Sequence, residues 1–426
     1  MTQIRTAKQG KITVQMRQIA KSEGIAVEVI RKRIAAGHIV IPYNPIHAPV
    51  TLGIGKGLRV KVNANIGTSR EYCNEAEEVE KAKVAVSAGA HAVMDLSTGG
   101  DLDRIRRRLL KTVTVPFGTV PVYQAGIEAI SRHGSIVDMT ADDMFSMVES
   151  QAKQGVDFAV VHVGVTKVSV ERLRKQQRLI PMVSRGGSFH MAWILHHGEE
   201  NPLYKEYGYL LEIAKRYDLT LSLGDGMRSG ALADSNDRAK FQELLLIGEL
   251  VEQARKAGVQ TMVEGPGHMP LADISANIQV MKTMTGDAPY FVLGPLVTDI
   301  APGYDHFVGG IGGAFAGYCG ADFLCYVTPA EHLCLPDKQD VHDGVVATRI
   351  AAHAADVAKG IDRDVDQRFS AARQNLDWKT MFQLCIDPSK AKQYRMKRSP
   401  SEDTKTCSMC GKLCAIEMVQ QYLKKK

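Results

Sequence analysis

The sequence predicts an α/β protein: a (β/α)8 TIM barrel with a small N-terminal cap and a C-terminal helical arm. Three observations predict it. From residue 58 onward short apolar, β-branched runs alternate with longer helix-patterned stretches, the rhythm of βαβ units and a parallel sheet. Eight or nine such units occupy about 270 residues, which suits a closed barrel better than an open sheet. Nearly every apolar run also ends in polar or glycine residues. In a barrel those ends gather at one mouth, where active sites sit.

The elements follow in order. Over residues 12–36 apolar residues recur at helical spacing with Gly24 as a break, predicting two helices. HIVIPYNPIHAP then runs extended, punctuated by three prolines. Residues 1–57 are expected to form the cap. The strand-like runs are LRVKVNANIG, HAVMDLSTGG, VPFGTVPVYQ, DFAVVHVGV, IPMVSRGGS, LTLSLGDG, VQTMVEGPGH, YFVLGPL and DFLCYVTP, within a catalytic barrel expected over 58–337. Helices are expected over 75–88, 141–154 and 239–257. After Pro336 the pattern becomes helical, over 341–359, 364–375, 376–384 and 388–396. A polar linker, 397–406, then leads into a cysteine-rich stretch, and 338–426 is read as the arm.

Composition narrows the function. A chain of 426 residues with 45% hydrophobic content suits one large globular domain with attachments. The net charge of +6 is spread out, with no long basic run before Lys424, Lys425 and Lys426. That points to small anionic ligands and away from nucleic acid. No apolar run approaches the roughly 18 residues of a membrane span, and MTQIRTAKQG has no apolar signal core. A cytoplasmic protein is expected, its eight cysteines serving as metal ligands or core residues and not as disulfides.

Several groups carry chemistry. Cys407, Cys410 and Cys414 fall within eight residues. Thiolates so spaced suit one soft metal centre. A 4Fe–4S cluster held by three of them keeps one iron open for a small molecule; a zinc knuckle with a distant fourth ligand, or a tail with chance cysteines, are the other readings. Ser184-Arg185-Gly186-Gly187 joins a cation, a hydroxyl and two glycines at a strand end, a combination that suits a phosphate. Asp95-Leu-Ser-Thr-Gly-Gly100 is a weaker version of the same pattern. Glu264 with His268, and Glu331 with His332, each pair an acid with an imidazole; two such histidines at neighbouring strand ends can hold zinc. His196, His197, His306 and His353 are lesser candidates. Asp225 and Arg228 flank Gly226 and Met227 after another strand, with mutual ion pairing as the plain alternative. Asp299, Tyr304 and Asp305 form a polar turn without a readable role.

The segments KVNANIGTS, VMDLSTGGD, VSRGGS, LSLGDG, EGPGH, LGPLVTDIAPGYDH, CYVTPAEHL, RIAAHAAD and CSMCG resemble the phosphomethylpyrimidine synthase family of thiamine biosynthesis, which includes a paralogue, 5-hydroxybenzimidazole synthase, of cobamide biosynthesis. The resemblance covers nearly the whole chain. It implies a radical S-adenosylmethionine (SAM) lyase on a (β/α)8 barrel acting on aminoimidazole ribotide through a 5′-deoxyadenosyl radical. It implies that Cys407, Cys410 and Cys414 hold a 4Fe–4S cluster and that His268 and His332 bind zinc. Asn65, Met94, Tyr123, His162 and Phe291 are implied to line the substrate pocket. Ser184, Arg185 and Gly186 are implied to anchor the phosphate, with Asp225, Gly226, Met227, Arg228 and Glu264 completing the pocket. Of these, Asp225, Arg228 and Glu264 are the implied catalytic groups. A homodimer in which one subunit's cluster arm closes the other's barrel, and a reductant such as flavodoxin or ferredoxin, are implied as well.

The sequence departs from the family pattern at several points. Three residues, where longer members have four, separate the second and third cysteines. Met227 and Ser229 stand in the DGLRPG motif, Met269 in GPGHVP, and Cys334 in EHLGLP. Pro289-Tyr290-Phe291 inverts the order of the aromatic pair. Such changes at the barrel mouth lead to the expectation of the benzimidazole product, with the pyrimidine product as the alternative. Two other readings are a non-radical zinc hydrolase and a regulatory binding barrel without turnover.

Overall fold

The computed structural model describes residues 1–398 and 405–423. Three short helices open the chain, Gln3–Lys8, Val14–Glu23 and Val27–Ala35. Thr2 and Thr13 cap the first two, each hydroxyl accepting a backbone N–H three residues on. Gly24 ends the second helix with a φ of 67°, a left-handed conformation that glycine adopts without strain. The helix Gln3–Lys8 is additional to the sequence expectation, because six residues are too few to display a period. Ile39–Val40 (β1) and Ile54–Gly55 (β2) then pair antiparallel. Ile4, Met16, Ile19, Ile30 and Ile34 form an apolar cluster of their own in this cap.

Eight parallel strands follow: Lys61–Ile66 (β3), Ala92–Asp95 (β4), Phe117–Thr119 (β5), Phe158–Val161 (β6), Thr220–Leu223 (β7), Thr261–Gly265 (β8), Tyr290–Leu293 (β9) and Phe323–Cys325 (β10). They close into a barrel in chain order, β10 pairing with β3 through Leu324 opposite Val62. The strands are covered on both faces, so they read as almost continuous apolar runs. Inside the barrel Phe323 stacks on Phe291 at 4.3 Å and meets Phe158 edge-on at 6.3 Å. These rings fill the interior.

One expected strand is absent. IPMVSRGGS forms no ladder, and Ser184 instead opens the helix Arg185–His197. The reason is local. Pro181 lacks an N–H, and the carboxylate of Asp234 takes the backbone N–H groups of Leu179 and Ile180, both at 3.0 Å. Leu179, Ile180 and Val183 are exposed, so no apolar burial favours a strand here. The expected helices are present as Glu75–Ser87, Ala141–Gln154 and Arg238–Ala257. The second carries a full capping box between Thr140 and Asp143.

The N-terminal end of the barrel is sealed. Lys61 at the start of β3 pairs with Glu23 of the cap at 2.9 Å. His47 bonds Asp157 at 2.6 Å and the Val113 carbonyl at 2.8 Å. The C-terminal mouth is left as the open end.

By contacts the chain divides into two units, Met1–Asp356 and Val357–Lys426. The second contains the helices Arg363–Gln374, Trp378–Leu384, Pro388–Lys397 and Ala415–Leu423. Within it Trp378 donates its indole N–H to the Lys405 carbonyl at 2.8 Å, and the Arg395 guanidinium stacks 4.1 Å from the Trp378 ring. Most of the expected linker, residues 399–404, and the three terminal lysines lie outside the described residues. Among the described residues no helix is long and apolar enough to cross a membrane, and none of the eight cysteines is in a disulfide.

Candidate active site

A cavity of about 270 Å³ opens among the strand ends at the C-terminal mouth. The walls come from successive βα units, with the unit after β6 giving two of them. Asn65 projects from β3 and Met94 from β4; Tyr123 sits in the first turn of the helix Pro121–His133. His162 directly follows β6, Arg185 opens its helix, and Arg228 lies in the loop after β7. Glu264 projects from β8 and Phe291 from β9. Leu96, Val120, Val160 and Leu293 are among the aliphatic groups of the wall, and Glu331, whose carboxyl is raised above its ordinary value by desolvation, also lines it. The eight positions from Asn65 to Phe291 are ones the sequence or its family resemblance singled out, and the barrel brings them together from eight separate segments.

The wall sets two guanidinium groups, Arg185 and Arg228, beside two carboxyls, Glu264 and Glu331. The Arg185 guanidinium lies 5.1 Å from the centre of the Tyr123 ring. Burial raises the Tyr123 phenol above its usual range, and burial with the neighbouring His190 and Arg228 holds the His162 imidazole neutral. Burial lifts the Glu264 carboxyl to about 7, against the pull of Arg228. Glu264 therefore changes protonation near neutral pH, the property required of a group that takes and returns protons. Cys325 was not singled out as a site residue, yet it lines the cavity. Asn65 donates to its sulfur at 3.0 Å, and burial pushes the thiol up to about 12, so it stays protonated.

Five expected positions stand behind the wall and not on it. The Ser184 hydroxyl accepts the Gly187 N–H at 3.1 Å and so serves as a helix cap. Gly186 packs under His162, where an added Cβ would lie 2.2 Å from the ring. Asp225 and Met227 are buried, and Gly226 lies with them on the inner side of the loop. Their partner is Glu243, which the sequence reading missed. It accepts the N–H groups of Gly226 at 3.0 Å and Met227 at 2.7 Å. A signal for it existed: Lys240 and Glu243 fall on the same helical face as Ile247, Leu250, Val251 and Ala254, and charges on an apolar face require buried partners.

His268 and His332 meet with ring centres 5.2 Å apart. Nδ1 of His268 is held by Asp299 at 2.7 Å, and Nδ1 of His332 by Asp305 at 3.1 Å. The polar turn without a readable role thus supplies the two carboxylates. Carboxylate-bound Nδ1 atoms leave Nε2 as the ligating nitrogen, the arrangement that orients imidazoles around a metal. The pair fits a two-histidine contribution to a metal shell. Among the described residues no three His, Cys, Asp or Glu side chains already converge, so water or substrate would complete it. His196 and His197 end the helix Arg185–His197, His306 packs against Phe307 and His353 lies within Lys338–Ala358; none lines the cavity.

In the second unit Cys407, Cys410 and Cys414 lie on one short turn. The Gly411 N–H donates to the Cys407 carbonyl and the Leu413 N–H to the Cys410 carbonyl, both at 3.0 Å. Gly411 has a φ of 53°. Cys410 is exposed and the other two are half-buried. Three accessible thiols on one turn fit a 4Fe–4S cluster with an open iron.

A model of the Radical SAM ThiC family matches residues 2–421. The chain is 55% identical to a phosphomethylpyrimidine synthase of Caldanaerobacter subterraneus, over 99% of this chain and 98% of that one. It is 56% identical to one of Desulforudis audaxviator and 55% identical to one of Pyrococcus abyssi, each over 100% of this chain and 99% of the other. These relatives overturn the expectation of the benzimidazole product, since all three bear the name of the pyrimidine synthase. The geometry explains why the motif departures misled. Met227 and Met269 are fully buried and absent from the cavity wall, Ser229 binds the His268 carbonyl, and Cys334 is exposed on a loop. Tyr290 packs beneath Gly265, and only Phe291 of that pair faces the cavity. Most of the departures therefore alter packing and not the surface presented to a substrate. With a family model matching almost its entire length and relatives of this similarity, the chain belongs to the Radical SAM ThiC family and is an enzyme of radical rearrangement.

Proposed function

We propose that this enzyme carries out the phosphomethylpyrimidine synthase reaction, rearranging aminoimidazole ribotide to 4-amino-5-hydroxymethyl-2-methylpyrimidine phosphate. Membership of the family implies a 4Fe–4S cluster and SAM. The observation that carries the reading is the cavity itself, which combines two guanidinium groups, two desolvated carboxyls, of which Glu264 titrates near neutrality, and an apolar wall. A phosphorylated sugar bearing an aromatic amine matches that inventory.

The residues divide the work. Arg185, fixed over the Tyr123 ring, and the start of its helix bind the phosphate. Arg228 and Asn65 orient the ribose. Glu264 accepts a hydrogen bond or a proton from the imidazole amine. Leu96, Val120 and Val160 exclude water, which protects a reactive carbon radical from side reactions. A 4Fe–4S cluster, when bound to Cys407, Cys410 and Cys414, supplies the electron for reductive cleavage of SAM. His268 and His332 would hold a divalent ion, zinc by their chemistry. A second copy of the chain and a low-potential electron carrier are the partners this reading expects.

The test is an anaerobic incubation of the reconstituted enzyme with aminoimidazole ribotide, SAM and dithionite. The expected products are 5′-deoxyadenosine and a pyrimidine phosphate, identified by mass and ultraviolet absorption. Release of neither would overturn the reading. Turnover of a phosphorylated heterocycle without reductant would favour zinc-dependent hydrolysis at the two histidines.

A further inference from the structure

The loop Asp225–Gly226–Met227–Arg228 sends Arg228 into the cavity. At its start the Asp225 N–H donates to Glu264 and the Asp225 carbonyl accepts from the Arg228 guanidinium at 3.3 Å, both on the cavity side. The restraints on its remaining backbone lie behind it and are charged. On one side Glu243 accepts the N–H groups of Gly226 and Met227. On the other the Arg178 guanidinium donates to the carbonyls of Met227 at 2.7 Å and Arg228 at 3.4 Å. Arg178 is itself paired with Asp237, which caps the helix carrying Glu243. The chain makes room for this arrangement: a Cβ at Gly164 would come within 2.6 Å of the Glu243 side chain.

Glu243 has a second partner. Its carboxyl hydrogen-bonds the carboxyl of Asp225, and both side chains are buried. Two carboxylates cannot share a hydrogen bond unless one carries a proton, and two buried like charges in contact are costly. The charged groups facing the pair are Lys240 from the same helix, Arg228 from the loop and Arg178 from the preceding segment, and Glu264 of β8 and Tyr290 of β9 also face Asp225. Lys240 is occupied by the Ser235 carbonyl and the Asn277 amide oxygen. The cations offset one negative charge on the pair without removing the need for the shared proton.

We propose that Glu243 is a positioning residue: it holds one proton in common with Asp225 and, with Arg178 opposite, fixes the backbone that aims Arg228 at the substrate. This rests on the reading of the cavity as the substrate site. The pair resembles the carboxyl dyads in which two acids hold one proton between them. It keeps Asp225 available as hydrogen-bond donor or acceptor without moving the loop.

Glu243→Gln tests it with two readouts. The first needs no substrate. Infrared difference spectra of the whole enzyme at pH 8, parent minus variant, should show a protonated-carboxyl stretch that the variant lacks. Asp225→Asn should remove the same band. The second readout is calorimetric titration with aminoimidazole ribotide from pH 6 to 9. The parent's affinity should weaken at the alkaline end as the shared proton leaves. The variant should bind at least tenfold more weakly at pH 7 and keep only the dependence that Glu264 contributes, with its melting temperature close to the parent's. An unchanged infrared band in both variants would overturn the proposal. So would parent-like affinity and pH dependence in the glutamine variant. If the parent itself bound no aminoimidazole ribotide, the substrate assignment would fail, while the infrared result would still decide the shared proton.

Discussion

Replacing Glu264 by glutamine should stabilise the barrel at alkaline pH while disabling the site. The ordinary carboxyl value of 4.5 is raised by burial to about 7 in the folded chain. Below about 4.5 the folded and unfolded states are both protonated and the difference vanishes. Above 7 the folded state must ionise a carboxyl that the unfolded state ionises freely, so stability falls as pH rises between the two values. The full difference corresponds to about 3 kcal/mol. Glu264 is only half-buried by exposure because one edge faces the cavity, and water there reduces the penalty to roughly 2 kcal/mol. Glutamine keeps the size and the hydrogen-bonding capacity and never ionises. Scanning calorimetry should therefore find the variant close to the parent at about pH 4 and about 3 °C higher in melting temperature at about pH 8. Turnover should fall by a factor on the order of a hundred or more with the proton-accepting group gone. A melting difference that is the same at both pH values, or that favours the parent at pH 8, would refute the reasoning.

Three further outcomes are expected. Gly186→Ala adds a methyl 2.2 Å from the His162 ring; it should cost at least about tenfold in substrate affinity by titration although alanine favours the helix by up to roughly 1 kcal/mol. His268→Ala removes half of the imidazole pair and leaves Asp299 only the Leu232 N–H, so zinc bound per chain, measured by atomic emission, should drop by about tenfold or more with the melting temperature little changed. Cys410→Ser changes an exposed thiol in the second unit; iron and sulfide content and deoxyadenosine release should both collapse, while the melting transition of Met1–Asp356 stays where it was.

Much of the site was readable because a barrel converts sequence phase into spatial convergence. Asn65 and Glu264 lie at the ends of apolar runs, and once the runs close into a ring their ends have to meet, whereas Met94 and Phe291 were implied only by the family resemblance. What escaped reading were groups whose roles depend on partners far along the chain. Glu243 lies 17 residues from Gly226 and answers its backbone N–H from inside a helix. Asp299 and Asp305 gained a role only when His268 and His332 were brought to 5.2 Å. The false strand at 180–183 arose because apolar composition does not reveal that Asp234 has taken the N–H groups. The product was misjudged for a related cause: a substituted motif position looks the same in sequence whether it faces a substrate or, like Met227 and Met269, the core.

By itself the sequence determined the alternation of strands and helices, the caps that bound them and the three thiols on one turn, since these rest on periods and spacings within a few residues. Only the tertiary structure decided which polar groups share a cavity, which carboxyls sit against each other and which substitutions are silent. Those depend on distances between segments, and burial and charge act through distance, not through order along the chain.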